Sequence, residues 1–598
     1  MPEDCMRNLC VFLLALTFAA PLLAAQTNRS NNNGTVDQRR QQLDALLKEQ
    51  WEYTLRTSPE FASILGDKRY NDKLSDFSQK AIDEDLRQTK IFLDKFNAVD
   101  TTGFPEQEQL NKRLMVRDLK EALDNAKFKN WEMPVSQFIG IHLQAPQIVQ
   151  LLPFDTVKDY EDYIARLKQF PKAFGDVETQ MRNGMRDHLM PPQYLLVKVA
   201  DQSDRVAKGT PEDSPFATPL KKFPASVADA DKQRLSAAVL AAVKDSVIPT
   251  YTKFAAFVRN DYAPHGREHE GIWSLPQGDE RYRAFIKQRT TTDMTPEQIH
   301  QLGLSEVARI EGEMLKIADS LGYHDLKTFN QAVDKDPKLK PTSREDILNY
   351  YRKYTDQMYA KLPQLFGRLP KAKLVVMPVE EFAEKEAATH YDQGTPDGSR
   401  PGHVMVVTYD YEHRKTISFE STAYHEGIPG HHMQISIAQE LPSLPPFRQQ
   451  EGYTAYIEGW ALYSERLGKE VGFYQNPYSD YGRLQDEMLR AIRLVVDSGV
   501  HYKHWTRQQV VDYFHAHSAQ DEPDVQSETD RYIAWPGQAL AYKIGQLKIT
   551  ELREHAKKEL GDKFDIRAYH DEVLGAGALP LNVLEERINA WIAEQKKK

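Results

Sequence analysis

The sequence predicts a mainly α protein. Apolar residues recur three or four positions apart along most of its 598 residues, and acidic and basic residues are interspersed between them. Only two short segments are rich in β-branched residues. Spacing of three and four lines one face of a helix, so the apolar stripes must be buried against one another. No segment repeats at a fixed period.

The first element is the apolar stretch Leu9 to Ala25, which ends in small residues and leads into the polar run Gln26 to Thr35. It is short for a bilayer crossing and has the pattern of a cleaved secretory signal. The expectation is therefore a signal peptide over residues 1–25, a polar linker over 26–36 and a periplasmic or secreted mature chain without stable membrane insertion. An uncleaved anchor is the alternative. Glu3 and Asp4 offset Arg7 where a positive flank is expected, and a start at Met6 would restore it. Both cysteines, Cys5 and Cys10, fall in the removable segment. The mature chain is thus expected to have neither a disulfide nor a thiolate metal ligand. No cysteine directly follows the apolar stretch, which argues against lipid attachment there.

Helical periodicity then marks residues 38–55, 78–96, 105–128, 227–262, 295–321 and 343–362. Lys208 to Pro215 is a loop signal between helical regions, an inert surface loop or a lid. The segments Lys373 to Pro378 and His403 to Tyr409 flank a turn-rich stretch and predict a small hairpin or sheet edge. An edge strand could pair with an extended peptide, or simply shield the helix that follows. Lys and Arg total 77 against 87 Asp and Glu, a formal charge of −10, which gives no electrostatic reason to expect nucleic acid.

The chemistry concentrates in Tyr424-His425-Glu426-Gly427-Ile428-Pro429-Gly430-His431-His432-Met433-Gln434. Six of the chain's 18 histidines lie between His390 and His432. Imidazole is the commonest zinc ligand, and a glutamate beside a ligand is placed to take a proton from metal-activated water. The residue four beyond His425 is Pro429, not the second histidine of the familiar H-E-x-x-H pattern. On an undistorted helix His431 would lie about 120° around the axis from His425, and His432 would share its face roughly 10 Å further along. Proline clashes with the carbonyl four residues back, here that of His425, so the helix must break or bulge. A bulge absorbing two residues makes His431 the favoured second ligand and leaves His432 beside it or on the substrate side.

A third ligand is expected from the helix that follows. Glu451, Glu458 and Glu465 lie seven residues apart on one stripe. Glu458, flanked by Ile457, Trp460 and Leu462, is the most enclosed, whereas Glu465 best fits a solvated charged face.

The Tyr424–Gln434 motif, the run Glu458-Gly-Trp-Ala-Leu-Tyr463 and Trp535-Pro-Gly-Gln-Ala-Leu-Ala-Tyr542-Lys-Ile-Gly545 together resemble the bacterial "domain of unknown function 885" family over nearly the whole mature chain. More distantly, the chain is similar to helical zinc peptidases of the thimet-oligopeptidase, Taq-carboxypeptidase and angiotensin-converting-enzyme type. That similarity implies a large helical fold with a deep cleft, a single catalytic region over 37–598 that could form two lobes, and a bound Zn2+ ion. Carried across, His425, His431 and Glu458 hold the metal and Glu426 is the general base, acting on peptides; other divalent transition metals could replace zinc. Tyr542 is the expected oxyanion partner with His501 in reserve, and Arg531, Lys543 and Arg493 are candidates for a substrate carboxylate. A metal-dependent amidase or esterase, or a non-catalytic metal-binding protein, are the alternative readings.

Overall fold

The computed structural model describes residues 34–379, 384, 388–396, 398, 400–450 and 452–598. The expected signal segment, both cysteines, Met6, most of the linker and Glu451 lie outside the described residues. The described chain is mainly α with one small sheet. No described helix is long and apolar enough to cross a membrane.

The helices follow the apolar periodicity and start where side chains can satisfy free amides. Val36–Thr57 begins at Thr35, whose hydroxyl accepts from the Gln38 amide while the Gln38 side chain accepts from Thr35. Pro296–Ser320 begins the same way at Thr295, with proline in the first turn where no amide partner is lost. Of residues 227–262, expected to be helical, 229–262 are helical throughout but interrupted by two π turns, Val243–Val247 and Val258–Tyr262.

The chain divides into two compact units. One holds the described residues to His269 together with Ser274–Gln277. It is helical, with a core that includes Tyr160, Phe170, Phe174, Tyr251 and Phe254. The Lys208–Pro215 loop belongs to it and contains a short 3-10 turn, Pro211–Asp213. The other unit, Glu270–Trp273 with Gly278–Lys598, carries every candidate site residue.

The sheet belongs to this second unit and consists of β1 (Leu374–Pro378), β2 (His390–Asp392) and β3 (Gly402–Val406) in the order β1-β3-β2. The two expected segments do pair, but not as a hairpin: β1 runs parallel to β3, with Val376 opposite Val404, and β2 pairs antiparallel on the other edge of β3. The connection between them is long enough to contain β2, so the parallel arrangement needs no tight turn. Val376, Val404 and Val406 pack with Ile347, Tyr351, Phe419 and Ala423, which seats the sheet on the segment leading to His425.

Candidate metal centre

The helix Phe419–Thr422 continues into a π turn, Ala423–Gly427, that carries His425 and Glu426. There it ends, because Ile428 is extended (φ −119°, ψ 137°), and a new helix, His431–Gln439, starts with His431 in its first turn. The distortion forced by Pro429 is thus a break between two helices rather than a bulge in one. A β-carbon on Gly430 would lie 1.9 Å from the His425 carbonyl oxygen, so only glycine lets the chain double back this tightly. Trp460 Nε1 donates to the Pro429 carbonyl at 2.9 Å and Gln434 Nε2 to the Ile457 carbonyl at 2.8 Å. These bonds fix the broken segment against the helix Thr454–Glu470.

His425, His431 and Glu458 converge, with one ligand atom from each lying within 4.8 Å of the others. Glu458 Oε2 is 3.5 Å from His431 Nε2 and 3.7 Å from His425 Nε2, yet this buried oxygen accepts no hydrogen bond. Ligand atoms around a tetrahedral zinc with bonds of about 2.0–2.1 Å stand roughly 3.4 Å apart. The spacing and the orphaned oxygen therefore fit a divalent ion. Burial opposes a proton on His425, but Glu458 and Glu465 overcome it and raise the imidazole to about 10. His431 is raised in the same way by Glu458 against the cost of burial. Glu458, despite its burial, is held far below the usual carboxylate range by the two imidazoles.

Glu465 overturns the expectation of a solvated face. It is 2% exposed, and its Oε1 lies 2.8 Å from His425 Nδ1. A carboxylate on the outer nitrogen fixes the tautomer that frees Nε2 for a metal. On the other histidine, Gln434 Nε2 lies 3.0 Å from His431 Nδ1 while Gln434 Oε1 is buried without a partner. Glu426 is half-buried beside both histidines and forms no side-chain hydrogen bond among the described residues.

His432 is not part of this group. Its Nε2 donates to the Ala372 carbonyl at 3.2 Å and its Nδ1 accepts from Tyr391 at 3.1 Å, while burial lowers its pKa to about 4. It is a neutral core residue joining the helix to the sheet, and the substrate-side role expected for it is withdrawn. His501 must also be corrected. Its Nδ1 accepts from the Ile272 amide at 3.0 Å and its Nε2 donates to the Tyr532 carbonyl at 2.9 Å, so neither ring nitrogen is left for an oxyanion. Lys543 is a third correction: fully buried, it is held by Glu487 at 2.7 Å and Glu306 at 2.9 Å. A substrate carboxylate would have to displace both.

Tyr542 lies in the first turn of the helix Ala541–Leu560. The helices Thr454–Glu470 and Ala541–Leu560 cross at Gly459 and Gly545, where a β-carbon on Gly545 would fall 1.7 Å from the Ala455 carbonyl oxygen. Glu458 and Tyr542 each lie within one turn of that crossing. Burial first, and the nearby Glu458 charge second, push the Tyr542 hydroxyl to about 12, so it remains a proton-bearing donor. Arg493 lies over the Tyr542 ring at 4.8 Å and bonds Tyr532 and Glu528. Arg531 bonds the same Glu528 and Gln538. Arg490, which periodicity gave no reason to single out, also faces the Tyr542 ring, at 5.9 Å.

The fold and the site define a helical protein with a two-histidine, one-glutamate candidate centre at a helix break. The chain belongs to the family described as "Bacterial protein of unknown function (DUF885)", whose sequence pattern matches residues 59–588. It is similar in structure to a Colwellia psychrerythraea protein classed provisionally as a lipoprotein, with a TM-score of 0.88 and 31% identity over 93% of this chain and 99% of that one. A Shewanella oneidensis protein of unknown function, classed in the same provisional way, shares the fold at a TM-score of 0.72 and 19% identity over 92% of this chain and 99% of that one. No functionally curated protein matches the sequence.

Proposed function

We propose that the protein is an exported metal-dependent hydrolase that cleaves amide bonds, with peptides as its substrates. The observation that carries this reading is the orphaned, buried Glu458 Oε2 set between His425 Nε2 and His431 Nε2. Three ligands among the described residues leave a position free, as in catalytic zinc sites, whereas structural sites close with four. A divalent ion held there, Zn2+ by preference for this donor set, would polarise a carbonyl and lower the pKa of a water molecule to about 7.

The chain's own groups then have distinct tasks. Glu426 takes the proton from the attacking water and returns it to the leaving amine. Glu465 holds the Nδ1 proton of His425 and keeps Nε2 turned inwards. Tyr542, protonated at neutral pH, donates towards the oxygen on which negative charge develops. The resemblance to helical zinc peptidases points the same way. Export is supported by the apolar N-terminal stretch and by the provisional lipoprotein class of the Colwellia relative.

The test is Glu426→Gln. It should retain the metal content of the wild type, measured by elemental analysis, and lose about 10²–10⁴-fold in peptide turnover. A loss below about tenfold would assign the base elsewhere.

A further inference from the structure

Three guanidinium groups, those of Arg490, Arg493 and Arg531, surround or adjoin the Tyr542 ring. Glu528 and Asp486 pair with them, Asp497 lies near Arg531 and Glu458 lies near Tyr542. Glu528 is shared between Arg493 at 2.9 Å and Arg531 at 3.2 Å. Asp486 is 3.8 Å from Arg490, at the limit of an ion pair, and is bonded by the Ser421 hydroxyl as well.

The unused donors are specific. Arg493 has a side chain only 6% exposed, and its Nη1 is buried with no hydrogen-bond partner. Arg490 Nε is buried and unpartnered too, and its Nη1 donates to the Asp486 carbonyl. Its Nη2 makes no hydrogen bond to any described residue, and the side chain is 15% exposed. Buried donors are nearly always satisfied, so unsatisfied ones on two arginines one turn apart mark a place for an acceptor. A guanidinium with a free edge matches a carboxylate, which can take two of its N–H groups at once. The cluster is tied to the metal centre through Tyr542, which lies one turn from the crossing that carries Glu458.

Building on the metallohydrolase reading, we propose that Arg490 and Arg493 bind the free α-carboxylate of a peptide, making the protein an exopeptidase that acts from the C-terminus. The carboxylate fixes the distance from the chain end to the bond presented at the metal. Lys543, another cation considered for this role, is already neutralised by two carboxylates.

The experiment uses the full-length metal-loaded protein with N-acetyl-trialanine, the same peptide as its C-terminal amide, and an amidated analogue with glutamate in the last position. Cleavage is measured with the wild type and binding by calorimetry with Glu426→Gln. The free acid should be preferred at least about 30-fold over the simple amide in both readouts, as expected when a buried charge loses its partner. Arg490→Gln should reduce that preference at least tenfold by weakening the acid alone, and Arg490→Lys should restore part of it. Equal treatment of acid and amide overturns the proposal, as does equal weakening of both by Arg490→Gln. Equal acceptance of the glutamate amide and the free acid also overturns it, by showing that any carboxylate suffices. If neither peptide is cleaved but Glu426→Gln still discriminates, the carboxylate site stands and the hydrolase reading fails.

Discussion

Tyr542 and Lys543 are neighbours in sequence, yet they face two buried regions of opposite character. On the Lys543 side, Glu487 and Glu306 meet Lys543, Arg309 and Arg483, and every charge has a partner within 3.1 Å. On the Tyr542 side, Arg490 and Arg493 keep free donors, and Glu458 keeps a free acceptor. Both regions draw on the helices Pro477–His501 and Ala541–Leu560. Saturation, rather than burial or charge, separates the two regions.

The largest effect that sharpens this contrast is on stability. Lys543→Met removes one member of the saturated network and should lower unfolding free energy by about 3 kcal/mol, at the lower end for a broken buried pair because Arg309 and Arg483 still neutralise Glu487. Metal affinity should not change. Denaturant titration and metal competition on the same variant test both halves, and a variant that keeps its stability while losing metal would erase the distinction.

Next comes Glu465→Gln, which keeps the shape but weakens the bond to His425 Nδ1. It should reduce metal affinity about 10–100-fold. An unchanged affinity in a competition assay would return Glu465 to the passive role that sequence reading gave it.

The smallest effect is on pH dependence. A metal needs the neutral imidazole, but in the metal-free protein His425 holds its proton up to about pH 10. Each proton displaced makes apparent metal affinity rise about tenfold per pH unit below that value. The metal-free protein should behave in the opposite sense. Its contribution from protonated His425 is complete below the unfolded pKa of about 6.5 and is lost as pH rises through about 10. Metal titrations and chemical denaturation across pH 6 to 9 check the two slopes; affinity that falls with rising pH would refute the proton competition.

What could be read in the sequence follows the range of the forces involved. Helix positions came from local periodicity. The choice of His431 over His432 came from the steric demand of Pro429 on a helix, also a local effect. Glu458 stood out because its neighbours are apolar. Glu465 lies two turns along the same face, and the stripe itself was the signal that it could share the site. Other roles were settled by partners distant in sequence. His501 is held by Ile272, His432 by Ala372 and Tyr391, and Lys543 by Glu306, none of which lies near in the chain. The parallel pairing of β1 with β3 was hidden for the same reason, because the β-rich pattern names strands but not their direction. Arg490 carries no local mark at all; only its open donors beside Tyr542 single it out.

The most direct measurement is a Zn2+ titration of the metal-free protein alongside Glu458→Gln, His431→Ala and His432→Ala. The wild type and His432→Ala should each take up one equivalent with closely similar affinity, while Glu458→Gln and His431→Ala lose tight binding. A wild type that takes up no metal, or a greater loss in His432→Ala than in His431→Ala, would contradict the site described here.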